Sequence, residues 1–224
     1  MKLALFDLDN TLLHGDSDFE WSQFLIRIGV LDRELFEVKN QAFYDQYKAG
    51  TLDIQAFLDF QLKPLSHHAR QTLDTWHQQF MAESVRPMMT QAAHDLVQQH
   101  LAAGDVCVII TATNRFVTAP IAQAFGIEHL IATEPEERDG EFTGRVADVP
   151  CFREGKITRL NNWLAARGWT LDSFDDSVFY SDSLNDLPLL QQVKTPVVAN
   201  PDPTLRQYAE QQGWRIIQLH LQPL

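Results

Sequence analysis

The sequence predicts an α/β protein built on a parallel sheet and interrupted once by a helical insertion. In the latter two thirds of the chain, short apolar runs of strand length alternate with amphipathic segments, the pattern of βαβ units. From about residue 15 to residue 85 the periodicity is helical alone, and about seventy residues is far too long for a simple connection between a strand and its helix.

Taken in order, the predicted strands are 3–7, 106–111, 129–133, 177–181, 196–199 and 215–219. The helices between them are 89–102, 116–125, 154–167, 185–192 and 204–212. Asn114 and Asp202 are natural helix starts, and Gly104, Gly126, Gly168 and Gly213 each follow a helical stretch where a left-handed cap is wanted. Within the insertion, Phe19, Phe24, Leu25 and Ile28 share one helical face. Phe36, Phe43 and Tyr47 share another, as do Phe57, Phe60 and Leu65. Arg86-Pro87 marks the return to the main domain. These boundaries divide the chain into a core, 1–14 with 87–224, and a helical cap, 15–86. A smaller excursion at 134–149 holds Asp139-Gly140, a two-residue hairpin signal, and is expected to be a flap.

Composition narrows the function. With 45% apolar and 21% charged residues among 224, the chain is neither disordered nor fibrous. A net charge of -12 repels phosphate backbones and anionic lipid, so no nucleic acid and no membrane partner is expected. Cys107 and Cys151 have no disulfide framework spacing, and neither a signal-peptide core nor a membrane span is readable, so a cytoplasmic location is expected. His67, His68 and His77 lack ligand spacing and are expected on exposed helices, while the five tryptophans are read as packing residues. His14 is a loop residue, and Cys151 is noted for its nearness to Lys156.

The chemistry lies at strand ends. Asp7 and Asp9 fall at the C-terminal end of the first strand, the edge where open parallel sheets bind ligands. Aspartates also serve there as turn and cap residues. Three further features converge on the same edge, however. The second strand ends in Thr111, which presents a hydroxyl and the amides of Ala112 and Thr113. The fourth ends at Asp182, followed by Ser183, Asn185 and Asp186. Lys156 opens a helix, where a cation opposes the dipole and so needs another reason to be there.

Asp7-x-Asp9-x-Thr11, the strand ending in Thr111, Lys156, and Ser181-Asp182-Ser183-Leu184-Asn185-Asp186 resemble the four motifs of the haloacid dehalogenase superfamily in the order found in its phosphatases. The resemblance covers the whole chain and implies a Rossmann-like three-layer core with an inserted C1 cap, as in the subfamily IB that contains phosphoserine phosphatases. Asp-Leu-Asp-Asn-Thr-Leu-Leu and Thr-Ala-Thr-Asn-Arg-Phe are also similar to a proteobacterial group of histidinol-phosphatases.

The resemblance implies Asp7 as nucleophile, Asp9 as general acid and base, and Thr111 and Lys156 as phosphate-binding catalytic residues. It further implies Mg²⁺ on Asp7, Asp182 and the carbonyl of Asp9, with Asp186 supporting Lys156 and Asn185 and Ala112 touching substrate. The physical logic agrees: a carboxylate attacking a phosphate dianion needs its charge cancelled first, and a hard cation with oxygen ligands does so. Thr111-Ala112 replaces the Ser-Gly usual in phosphoserine phosphatases. In the cap, Asp16 or Glu20 could meet an amine, and Arg27 or Arg33 a carboxylate.

A small phosphate ester is therefore the expected partner, with L-histidinol phosphate ahead of O-phosphoserine. Residues 14–85 carry six basic against eleven acidic residues, which favours a substrate with a cationic end, and Asp16, Asp18 and Glu20, close in sequence to Asp7, are the expected contacts. A non-catalytic phosphoacceptor is the rival of another class, but it would have no use for Asp9 or for a cap. A dehalogenase needs no second aspartate. Oligomeric state is not legible in the sequence.

Overall fold

A computed structural model describes residues 1–220. Six parallel strands form its sheet, in the order β3-β2-β1-β6-β7-β8. In chain order the elements begin with β1 (Lys2–Phe6), followed by helices α1 (Ser17–Arg27), α2 (Arg33–Ala49), α3 (Ile54–Leu62), α4 (Arg70–Phe80), α5 (Arg86–Met88) and α6 (Gln91–Ala102). Then come β2 (Val106–Asn114), α7 (Arg115–Phe125), β3 (His129–Thr133), the two-stranded hairpin β4 (Pro135–Arg138) and β5 (Glu141–Val146), and α8 (Glu154–Ala165). The chain closes with β6 (Asp176–Ser181), α9 (Leu187–Leu190), β7 (Thr195–Ala199), α10 (Pro203–Gln212) and β8 (Arg215–Ile217).

Alternation along β1 sorts the core into layers. Ala4 and Phe6 face a cluster with Val97, Val117 and Ile121, whereas Leu3 and Leu5 face Leu160, Leu164, Leu189 and Leu205. Helices thus cover both faces, and this three-layer arrangement is what allows an all-parallel sheet of apolar strands. The strand order reverses at β1, so the C-terminal ends of β1, β2 and β6 open onto one crevice. Register aligns them there, with Phe6 opposite Ile109 on one side and Tyr180 on the other.

The segment between β1 and β2 is helical, as its periodicity predicts. Asp16, Asp32 and Asp53 each accept backbone amides at the N-termini of α1, α2 and α3. Trp21, Phe24, Leu58, Leu62, Leu73 and Phe80 join the cluster of Ala4 and Phe6, so these helices share one apolar core with the sheet. Helix α2 is the exception, for its only buried residue is Asn40.

Several expectations are refined. The helix expected over 185–192 is a short 3₁₀ turn at Leu184–Asp186 leading into α9, because Ser183 caps the turn and Pro188 falls in the first turn of α9. The second strand runs past Thr111 to Asn114 with a register shift, and Thr90 delays the start of α6 to Gln91. Asp139 and Gly140 both have positive φ, as a tight two-residue hairpin requires.

That hairpin is not a free flap. The Arg70 amide donates to Glu141 Oε2 at 2.8 Å, and its guanidinium lies 4.6 Å from the Phe142 ring centre. Gly144 is packed so closely that a Cβ would sit 3.3 Å from Lys63 Cα, so the hairpin is clasped to the helical insertion. Among the described residues no helix is long and apolar enough to cross a membrane.

Candidate active site

The residues predicted from separate motifs meet at the crevice. Lys156 Nζ donates to Asp7 Oδ1 at 2.8 Å and to Asp186 Oδ2 at 2.7 Å, and Ser181 Oγ donates to the same Asp186 oxygen at 2.7 Å. All four are buried. Burial alone would lower the Lys156 pKa, but the carboxylates of Asp186 and Asp7 outweigh it and raise it, so the lysine stays charged. Lys156 reaches this position because Arg153 adopts a left-handed conformation at the N-terminus of α8. The turn also needs Gly155, where a Cβ would lie 2.0 Å from the Pro150 carbonyl oxygen.

On its other side Asp7 meets Asp182 through Thr11. The Thr11 hydroxyl lies 3.3 Å from Asp7 Oδ2 and 3.0 Å from Asp182 Oδ1, and accepts the Asp182 amide at 3.0 Å. Burial pushes the Asp7 carboxyl up to about 7, against the pull of Lys156. Burial, followed by the charges of Asp7 and Asp186, raises Asp182 well above the usual carboxylate range.

A hydroxyl carries a single proton, so when both carboxyls are ionised one of the two facing oxygens lacks a donor. Two buried carboxylates with that deficit form a donor set that fits a hard divalent cation. No cluster of three metal-ligating side chains occurs among the described residues, so backbone and water oxygens would have to complete the shell.

Asp9 is held apart from this pair. Its Oδ1 accepts the Ser17 amide at 2.6 Å and its Oδ2 the Thr113 hydroxyl at 2.8 Å. Burial, and then the neighbouring Asp16, push its pKa up to about 6 despite those donors. The Thr111 side-chain oxygen accepts the Thr113 amide at 3.1 Å. That amide, expected to face the site, is therefore already engaged, while the Thr111 hydroxyl proton remains available.

Asp7, Asp9, Thr111, Ala112, Lys156, Asn185 and Asp186 line one small cavity of about 60 Å³. The insertion supplies the rest of the wall: Phe19, Phe43, Tyr44, Tyr47 and Phe57, with Asn40 and Gln61, and with Asp16 and Asp18 on either side of Ser17, whose amide bonds Asp9. Asp16 spends one oxygen capping α1, at 3.0 Å from the Asp18 amide and 2.9 Å from the Phe19 amide. Burial raises the pKa of Asp16, and it raises that of Asp18 well above the ordinary range, with Asp16 and Asp9 adding to the latter.

Other expectations are corrected. Glu20 does not line the cavity; one step round α1 from Phe19, it sits on a different groove 3.9 Å from Arg27. Arg27 bonds Ser84 at 2.7 Å and Arg33 pairs with Glu37 at 2.7 Å, so neither reaches the cavity. Asn185 lines it but is also tied to the insertion, donating to the Tyr47 carbonyl at 3.1 Å and accepting from Arg153 at 3.1 Å. His77 is buried rather than exposed, with Nε2 2.9 Å from the Val117 carbonyl. Cys151 is fully buried and its thiol is pushed up to about 12, so its nearness to Lys156 does not make it reactive.

Asp18, expected with Asp16 near the nucleophile, does line the cavity. The sequence reading missed Asn40, Gln61 and Arg153. Arg153 also donates to the Gly50 carbonyl, joining the insertion to the core. Asn40 lies on a helix whose polar residues read as solvated, and the positive-φ turn at Arg153 has no sequence signal.

A fold with acidic side chains at the strand-order switch, a buried lysine and a helical insertion defines a class that comparison with known proteins names. The model of haloacid dehalogenase-like hydrolases matches residues 4–191, and the chain belongs to that family. Over 217 residues it is 47% identical to a histidinol-phosphatase of Neisseria meningitidis serogroup C (strain 8013), covering 96% of this chain and 98% of that protein. The crystal structure of a protein of unknown function from Bordetella pertussis Tohama I superposes with a TM-score of 0.93 at 50% identity, covering 98% of this chain and 99% of the other. A substrate-bound phosphoserine phosphatase shares the fold at a TM-score of 0.68 and 18% identity, covering 98% of this chain and 93% of the other.

Proposed function

We propose that this enzyme, a phosphoric monoester hydrolase by its family and relatives, hydrolyses L-histidinol phosphate through an aspartyl phosphate on Asp7. One observation carries the choice of substrate. Lys156 is the only cation lining the cavity among the described residues, and it is committed to Asp7 and Asp186, whereas Asp16 and Asp18 stand on the wall beside Asp9, flanking the Ser17 amide that bonds it. A substrate with a cationic end and no carboxylate suits that wall. O-phosphoserine brings a carboxylate that would find no arginine there. The 47% identical histidinol-phosphatase supports the same reading.

In the first half-reaction, Asp7 attacks phosphorus and the bond to the substrate oxygen breaks. Asp9, with a pKa near 6, can hold a proton for the departing alkoxide because the Thr113 hydroxyl can turn to accept as well as donate. Lys156 and the Thr111 hydroxyl bind the transferring oxygens. In the second half, Asp9 takes a proton from water, the water oxygen bonds to phosphorus, and the bond to Asp7 breaks to give inorganic phosphate and free carboxylate. Mg²⁺ on Asp7, Asp182 and the Asp9 carbonyl would supply the charge that lets an anionic nucleophile approach a phosphate dianion.

In the same reading, residues 15–86 act as a cap over a core of 1–14 and 87–224. The enzyme works on a small metabolite in the cytoplasm, consistent with its acidic composition. Side-by-side kinetics with Mg²⁺ test the substrate. Turnover of L-histidinol phosphate should exceed that of O-phosphoserine in kcat/KM by at least about tenfold, the scale of a mismatched buried charge. A ratio of one or below would reverse the assignment.

A further inference from the structure

The cap wall contains a hydrogen-bond relay that ends without a partner. Ser22 Oγ donates to Gln61 Oε1 at 2.9 Å, and Gln61 Nε2 donates to Asn40 Oδ1 at 3.1 Å. Asn40 Nδ2 then has no partner. Asn40 is only 2% exposed, and both Asn40 and Gln61 are on the wall of the cavity that holds Asp7. A buried amide N–H₂ without an acceptor is costly, and natural structures keep such groups where a ligand or water completes them. It is also the one buried residue of α2, a helix whose inward point would ordinarily be apolar.

The surroundings define what would complete it. Phe19, Phe43, Tyr44 and Phe57 line the same cavity and offer faces and edges to a flat ring. Asp16 and Asp18 offer acceptors for an ammonium or a ring N–H. A ligand matching all three has an aromatic ring with an unprotonated nitrogen, and a second, donating nitrogen.

Resting on the substrate reading above, we propose that Asn40, oriented by Gln61 and Ser22, is the specificity residue for the alcohol portion of the substrate. It donates its Nδ2–H to the unprotonated nitrogen of a neutral imidazole. The enzyme thereby selects nitrogen heteroaromatic phosphate esters over carbocyclic or aliphatic ones of similar size. Sites built to hydrogen-bond a substrate group reject analogues lacking it strongly, because the protein's own polar group is left unpaired.

The test compares L-histidinol phosphate with L-phenylalaninol phosphate, which keeps the amine and a ring but has no ring nitrogen. The wild-type enzyme should prefer the former by at least about tenfold in kcat/KM. In Asn40→Leu and in Asn40→Ala, both of which lose the donor without adding a charge, that preference should collapse towards unity.

A wild-type preference that survives in a folded variant would overturn this role while leaving the substrate reading intact. Failure of the wild-type enzyme to turn over L-histidinol phosphate would overturn both. If neither variant folds, thermal shift of the wild-type protein with the free alcohols decides. L-histidinol should stabilise it and L-phenylalaninol should not; equal stabilisation would overturn the role.

Discussion

The Asp7 carboxylate costs the metal-free protein stability, and the size of that cost follows from its surroundings. Asp7 is 5% exposed, and burial raises its pKa from 3.8 to about 7. A carboxyl whose folded-state pKa lies above its unfolded value stabilises the protein fully below about pH 4, and that contribution is lost as pH rises through about 7. Between about pH 5 and about pH 8 the loss amounts to roughly 2–3 kcal/mol, at about 1.4 kcal/mol per pKa unit.

Asp7→Asn removes the titration and keeps an oxygen for Lys156. In chelator, the variant should already melt somewhat above the wild type near pH 5, where about 1.7 kcal/mol of the low-pH contribution is lost. Between there and about pH 8 the gap should widen by roughly 4–12 °C, the scale for a chain of this size. The difference between the two proteins isolates Asp7 from the general repulsion of a chain with net charge -12. Added Mg²⁺ should stabilise the wild type more than the variant and close the gap. A gap that stays constant across this pH window, or a variant uniformly less stable, would refute the account of a strained nucleophile. Turnover by Asp7→Asn should fall at least about a thousandfold, because the nucleophile is gone.

Two further outcomes follow from Lys156 and its turn. Lys156→Met strips the cation from the buried carboxylates of Asp7 and Asp186, and thermal melts should show a loss of about 3–5 kcal/mol, the cost of breaking a buried ion pair. A change no larger than that of a surface lysine would contradict the burial argument. Gly155→Ala drives a Cβ against the Pro150 carbonyl, a backbone atom that cannot swing aside, so it should lower stability by about 2 kcal/mol or more and depress kcat by displacing Lys156. An unchanged melting temperature would show that the turn relaxes freely.

How much of this was legible in the sequence depended on which rule governed each residue. Parallel strands buried on both faces must be nearly continuous apolar runs, so Leu3–Phe6 and Val106–Ile110 announce themselves, and the carboxylates and threonine at their ends stand out by contrast. Lys156 was legible because it violates the dipole preference of its helix. Glu20 was misplaced because nearness in sequence to the nucleophile says nothing about helix rotation. At 100° per residue, Asp18 and Phe19 reach the cavity while Glu20, one step further round α1, turns away to the groove it shares with Arg27. The engagement of Asn185 with Tyr47 and Arg153 was hidden because it joins positions more than a hundred residues apart in one case.

The two ends of the cavity were unequally readable for a physical reason. Cancelling the charge of a phosphate dianion can be done in few ways, and each demands a charged residue at a strand end, where charge is conspicuous. Recognising the alcohol needs only shape and one or two neutral hydrogen bonds, which Asn and Gln supply from helix faces otherwise read as solvated. Helix α2 shows the consequence, since its apolar residues Leu35 and Val38 are exposed while Asn40 is buried. Asn40 shares a helical face with Phe36, Phe43 and Tyr47, whose rings pack on Phe60, Phe57 and Phe152. On that otherwise aromatic face the buried residue is an amide with an unpaired N–H₂, and the space beside it is the cavity that leads to Asp7.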